Sequence, residues 1–170
     1  MPAGSIFAVS NPVNEAELSA EISARLAGSS ADASQLVNVN PTTIIWVEHG
    51  DEVVVHVDSV QVRLLTGSLL VSVDMETDQT GRATLVAAFS LGGAGDPAGL
   101  TAVTDDLPKG LGTLTARWGK ALQAAIWASL LGFAQNAAAQ QGGAPIGLAV
   151  SQGSLTVIAG APLTAQARTS

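Results

Sequence analysis

From Thr42 to Leu91 apolar and polar residues alternate with a period of two, the mark of strands that turn one face to a core. Laid against each other as hairpins, the segments agree in phase. A two-residue turn at Gly67-Ser68 sets Leu64 opposite Val71, Val62 opposite Val73 and Val60 opposite Met75. A turn over Asp78-Gln79-Thr80, closed by Gly81 in a left-handed conformation, sets Val73 opposite Leu85, Val71 opposite Ala87 and Leu69 opposite Phe89. The other face then carries Glu76 beside Arg82, with Arg63 near Ser72 and Asp74. Upstream, Ile44, Trp46, Val53, Val55 and Val57 share the buried face across a turn at Gly50-Asp51. The phase slips by one residue at Asp58-Ser59, which predicts a tight turn or a β-bulge there.

The flanks have other periods. Ser5 to Val9 reads as a short strand closed by Asn11-Pro12. Asn14 and Glu17 have the spacing of a capping box, which opens a helix with Leu18, Ile22 and Leu26 on one face and Gly28 as its C-cap. Leu36 to Val39 begins the sheet. After it come a glycine-rich loop from Gly92 to Gly99, a short segment from Leu100 to Thr104, and a turn at Asp105-Asp106-Leu107-Pro108. Thr113 or Thr115 opens the longest helix, which ends near Gln141 before Gly142-Gly143 and Pro145. Trp118, Leu122, Ile126, Leu130 and Phe133 form its main stripe. On its back, Ala121, Ala124, Trp127, Ala128 and Leu131 stand among few polar positions such as Lys120 and Gln135, so the helix requires cover on two sides. Ile146 to Val150 and Leu155 to Ile158 form a hairpin about Gln152-Gly153.

These elements define one α+β domain over residues 1–170: an antiparallel β-meander packed on one long helix in the C-terminal half, with an N-terminal strand-helix unit and a C-terminal β-hairpin. In architecture alone, a sheet gripping a long helix resembles helix-grip lipid-binding domains and the sheet-plus-helix subunits of phage tail-like tubes. No motif carries either likeness, and no family is assigned.

Composition narrows the chemistry. A chain of 170 residues buries a sizeable core without staples, and its lack of cysteine excludes disulfide frameworks, thiolate metal sites and cysteine nucleophiles. Seven Lys and Arg, scattered along the chain, face 14 Asp and Glu for a net charge of −7, so no nucleic-acid partner is expected. Only 12% of residues are charged and 47% are hydrophobic, so the surface is either rich in Ala, Ser, Thr and Gly or buried in an assembly. The absence of Tyr, with 4% aromatic residues, argues against stacking platforms. No segment reaches the roughly 18 apolar residues of a membrane span. Met1 to Ser10 has neither a basic flank nor a long apolar run, which predicts cytoplasmic residence, alone or within an assembled particle.

Candidate chemistry gathers at Glu48, His49, Asp51, Glu52, His56 and Asp58. A Gly50-Asp51 turn sets His49 opposite Glu52, with His56 roughly 13 Å along the same face, too far for the two imidazoles to share an ion. His49 with Glu52 suits a base and its orienting carboxylate, but no nucleophile pattern accompanies them. Gly93, Gly95 and Gly99 miss the dinucleotide spacing by one residue, and Ala121 stands where a phosphate loop after Gly112 would need Ser or Thr. Asp105 and Asp106 read as a turn. No catalytic residue, metal or cofactor is therefore expected.

The long helix is the exception to this plainness. Trp118 and Trp127 point to different sides of it, so either the helix is buried between the sheet and the terminal elements, or Trp127 and Leu131, with Trp118 as a further candidate, face another subunit or a bound apolar molecule. The leading expectation is a non-enzymatic structural subunit forming homo-oligomers through apolar helix and sheet surfaces. The alternative is a domain holding a small apolar, lipid-like ligand between sheet and helix, with Ala83, Ala87 and Ala125 leaving the space.

Overall fold

The computed structural model describes residues 7–9, 12–27, 37–40, 43–90, 92–93 and 108–160. Strands β3 (Val37–Asn40), β4 (Thr43–Glu48), β5 (Asp51–Leu65), β6 (Ser68–Thr77) and β7 (Gly81–Ser90) form an antiparallel meander in that spatial order. The alternation dictates which face is buried: Trp46, Val55, Val73, Met75 and Leu85 are all fully buried.

Each hairpin register follows from where its glycine can take a positive φ. Between β6 and β7, Gly81 has φ 68° and the predicted pairs Val73 with Leu85, Val71 with Ala87 and Leu69 with Phe89 form as expected. Between β5 and β6 the turn is Thr66-Gly67 rather than Gly67-Ser68, because Gly67, with φ 75°, takes the second turn position. The pairing therefore moves by two residues, to Leu64 with Leu69 and Val62 with Val71. An even shift leaves every side chain on its predicted face. Arg63 accordingly sits opposite Leu70, and Met75 pairs with Val55 instead of Val60.

The phase slip at Asp58-Ser59 is a bulge within one long bent strand. The register breaks between His56, opposite Asp74, and Gln61, opposite Ser72. Ser59 pins the bulge: its hydroxyl donates to the His56 carbonyl at 2.5 Å and accepts the Asp74 N–H at 2.8 Å.

Helix α1 (Glu15–Leu26) begins as predicted, with the Asn14 side chain accepting the Glu17 N–H at 2.8 Å and the Glu17 carboxylate accepting the Asn14 N–H at 3.1 Å. It ends at Ala27; Gly28 lies outside the described residues. Leu18, Ile22 and Leu26 are fully buried. A second, polar stripe at the same spacing serves the sheet. Pairing of β4 with β5 stops at His56, so among the described residues the later half of β5 has no strand on that side. There Ser19 Oγ accepts the Val62 N–H at 2.9 Å, Glu15 Oε2 accepts the Leu64 N–H at 2.7 Å, and Ser23 Oγ donates to the Val57 carbonyl at 2.6 Å. The helix stands in for a missing strand and spares donors whose orphaning costs about 1–3 kcal/mol each.

The C-terminal hairpin, β9 (Ala144–Ser151) and β10 (Ser154–Gly160), turns at Gln152-Gly153 as predicted. It is the centre of a second sheet. β1 (Phe7–Val9) and β2 (Val13–Asn14) pair antiparallel with β10, and β8 (Gly92–Gly93) pairs in parallel with β9. The predicted glycine loop thus starts as strand; residues 94–107, with the expected segment at Leu100 to Thr104 and the turn at Asp105-Asp106, lie outside the described residues. The two sheets lock at their hairpin tips, where the Gly67 N–H donates to the Val150 carbonyl at 3.0 Å and the Gly153 N–H to the Leu64 carbonyl at 2.9 Å.

Helix α2 (Gly112–Gln140) packs against β7, β9, β10 and α1. Neither Thr113 nor Thr115 caps it: the N-cap is Leu111, without a side-chain cap, and Thr115 Oγ1 donates instead to the Gly112 carbonyl at 3.0 Å. Its end is a Schellman motif, with Gly142 at φ 79° donating to the Ala139 carbonyl and Gly143 to that of Ala138. The predicted stripe from Trp118 to Phe133 is buried, so Trp118 is a core residue and not a partner-facing one, and Leu114, Ser129, Ala134 and Ala138 widen the stripe to meet both sheets in one continuous core.

Candidate functional site

The polar end of the meander is built by two turns and one helix. Arg117 of α2 reaches the β4–β5 turn: its Nε donates to Asp51 Oδ2 at 2.9 Å, Nη1 to Glu48 Oε1 at 2.8 Å and Nη2 to the Glu48 carbonyl at 2.6 Å. Its guanidinium carbon lies 4.1 Å from the centroid of the buried Trp118 ring. The hydrogen bond to Asp51 is the largest influence on its protonation and, with Glu48, outweighs partial burial, raising the guanidinium above its usual pKa. Beside this clamp lies an open cleft of about 470 Å³, lined by Gly50, Asp51, Glu52, Thr77, Asp78, Gln79, Arg117 and Trp118.

The His49, Glu52 and His56 candidates are separated by the turn. His49, with φ 52°, and Gly50, with φ 82°, are themselves the two turn residues, because a turn with two positive φ values takes glycine second. Glu48 then faces Asp51, and Glu52 faces Val47 rather than His49. His56 points instead to the outer face of the meander, where its Nε2 is 2.9 Å from Glu76 Oε1 and its side chain is 12% exposed. Among the described residues, no group of three or more His, Asp or Glu is placed to hold a metal ion.

Next to His56 the outer face carries a compact charged network. Asp74 accepts Arg82 Nε at 2.8 Å and Thr84 Oγ1 at 2.6 Å. Burial is the largest single influence on this carboxyl and pushes its pKa up. The hydrogen bonds from Thr84 and Arg82 and the charges of Arg82 and His56 together outweigh it, holding the pKa below the usual carboxylate range.

The third surface is α2 itself. Trp127 is half-buried and its ring stacks on Phe89 of β7, centroids 5.6 Å apart and planes at 26°. Leu131 is half-buried too, while Ala124, Ala128 and Gln135 are exposed. At the helical period these last four residues fall within an arc of roughly 60°. On one flank of the arc stands Trp127, and on the other Gly132, across which Arg25 of α1 lies: a Cβ on Gly132 would come within 2.8 Å of Arg25 Nη1. Arg25 pairs with Glu21 on its own helix, Nε to Oε2 at 3.5 Å, and among the described residues this buried Nε makes no hydrogen bond.

Sequence reasoning offered Trp127 and Leu131 as the outward pair, of which Trp127 stacks on Phe89, and did not find the Arg117 clamp. Its partners lie 66 and 69 residues away, and nothing in the local pattern around Arg117 points to them. No helix among the described residues is long and apolar enough to cross a membrane. The chain matches no family model, no curated protein and no solved structure.

Proposed function

We propose that the chain is a non-enzymatic structural subunit that associates with copies of itself, in the cytoplasm or as part of an assembled particle. One observation carries this reading. From Ala121 to Gln140 helix α2 bears no Asp, Glu, Lys, Arg or His, yet Ala124, Ala128 and Gln135 face outward along it. That uncharged stretch is roughly 30 Å long at the helical rise. Solvent-facing helices ordinarily carry charge on the outer face, and loss of charge is what distinguishes the centre of an interface from other surface. The first hairpin sets Glu52 opposite Val47 rather than His49, and His56 meets Glu76 instead. The ligand-binding alternative lacks comparable support: Ala87 is fully buried and Ala83 and Ala125 pack against the core cluster, so the small residues expected to leave space help to fill it.

Light scattering across a wide concentration range tests the proposal. The expected result is a mass that rises to a multiple of 17.0 kDa. A constant single-chain mass at every concentration overturns it.

A further inference from the structure

We infer that copies of the chain join head to tail, the Thr66-Gly67 hairpin tip of one copy seating in the cleft at the opposite end of the next copy's meander. The inference rests on the proposed self-association and names one contact of it, made by residues apart from the uncharged run of α2.

The cleft carries negative charge that its own chain leaves unanswered. Arg117, the cation that lines it, is already shared between Asp51 and Glu48. Glu52 and Asp78 also line it, are exposed, and make no hydrogen bond or ion pair among the described residues. Both lie two residues past the Val54–Glu76 pair, Glu52 along β5 and Asp78 where β6 enters its turn. Like charges at one level of a hairpin repel, and a cation between them relieves both. A smaller hollow of about 160 Å³ shares Glu52, Thr77 and Asp78 with the cleft and adds Ile45 and Val54 as an apolar wall.

The opposite end of the same two strands presents the complement. Leu65 is 37% exposed, one of two large apolar side chains exposed among the described residues. Arg63, two residues before it and so on the same face, is exposed and makes no hydrogen bond or ion pair among the described residues. Glu15 reaches this end but is bound to the Leu64 N–H rather than to Arg63. A tip of one apolar and one cationic side chain thus matches a hollow with an apolar wall and unpaired acids, and such charge complementarity fixes which surfaces meet.

The match is between ends. The ten residues of β6 separate them by roughly 30 Å at the strand rise, so a chain cannot make this contact with itself. A contact between two different patches repeats with every copy added, giving an open filament or, where the rotation closes, a ring. A two-fold contact, by contrast, stops at two chains.

Sedimentation velocity over a concentration series, on the full chain, decides the matter. Wild type should give a series of sizes that passes beyond the dimer. Arg63→Glu brings a carboxylate to the acidic cleft and Asp78→Lys brings an ammonium to Arg63, and each alone should weaken association at least about tenfold. An equimolar mixture of the two variants, in which each reversed side chain meets the other, should associate where neither does alone. Both sites are exposed, far-UV circular dichroism checks folding, and Glu52→Lys replaces Asp78→Lys if that turn fails to form. Association unchanged by both reversals, a series that ends at the dimer, or a mixture no better than its parts overturns this contact while leaving self-association standing. A wild-type chain that is monomeric throughout overturns both.

Discussion

The two ends of the meander are fastened by opposite means. At the end formed by the His49-Gly50 and Asp78–Thr80 turns, a single guanidinium ties α2 to the first hairpin through Glu48 and Asp51. At the other, the Thr66-Gly67 turn is tied to the β9–β10 turn by two backbone hydrogen bonds, with no side chain involved. The first fastening is partly solvated, with Arg117 and Glu48 side chains 31% and 26% exposed and Asp51 64% exposed. The second depends on glycines at φ 75° and 81°. An ionic tie is tunable and removable by one substitution; a backbone tie answers only to changes in the chain's own conformation. The cleft lies at the tunable end.

The largest effect should come from breaking the backbone tie. Gly153→Pro removes the N–H that bonds to Leu64 and demands a negative φ where the chain has 81°, so unfolding in urea should show a loss of about 3 kcal/mol or more. Gly153→Ala keeps the N–H, and no atom lies within 4 Å of the added methyl, so its cost is backbone conformation alone. About 1–2 kcal/mol is expected for that variant. Equal losses in the two variants would mean that the hydrogen bond between the tips contributes nothing.

Arg117→Ala should rank next, at about 1–2 kcal/mol, because it leaves the Glu48 carbonyl and two partly solvated carboxylates without their donor. Arg117→Lys should recover less than half of this, since an ammonium cannot address three acceptors with one fixed fork. The comparison is sharpened by salt. At about 1 M NaCl, where screening acts within roughly 3 Å, the Arg117→Ala deficit should shrink while that of Gly153→Pro stays constant. A salt-independent Arg117 deficit would show that the residue acts through packing on Trp118 instead.

The same contrast explains what was legible in the sequence. Periodicity marked the buried face of β4 to β7, and the capping box and the Schellman glycines fixed both helix ends that depend on local hydrogen bonds. What it left open was register at a two-residue turn: Gly50 and Gly67 were each placed one position early, since alternation is blind to an even shift. The second sheet was legible in its hairpin and in the short N-terminal strand, but not as one sheet, because its strands come from distant parts of the chain, one of them the pair Gly92–Gly93 with no side chains to pattern. The Arg117 clamp, the strand-edge role of Glu15, Ser19 and Ser23, and the Arg25–Gly132 contact all join residues far apart in sequence. Each is a polar contact set by tertiary placement, which periodicity does not encode. The uncharged run of α2 was legible because it is a property of composition along one helix.

Between the two ends lies a charged network of intermediate kind, and it yields the smallest effect. Asp74 is bound by Arg82 and Thr84 on the outer face, with its own side chain 22% exposed and that of Arg82 50% exposed. Its folded pKa is depressed below the ordinary value of 3.8. Its contribution is therefore complete above the unfolded pKa and is lost as pH falls through the folded one. Asp74→Asn should cost under about 1 kcal/mol near neutrality, given the solvation of Arg82. The gap between wild type and Asp74→Asn should then close progressively as pH falls from 3.8 through the lower folded pKa, below which both chains carry a neutral side chain at this position. A gap that persists undiminished into that range would assign the effect to the geometry of the Thr84 and Ser59 hydrogen bonds, and the outer face would then belong with the backbone-tied end rather than the ionic one.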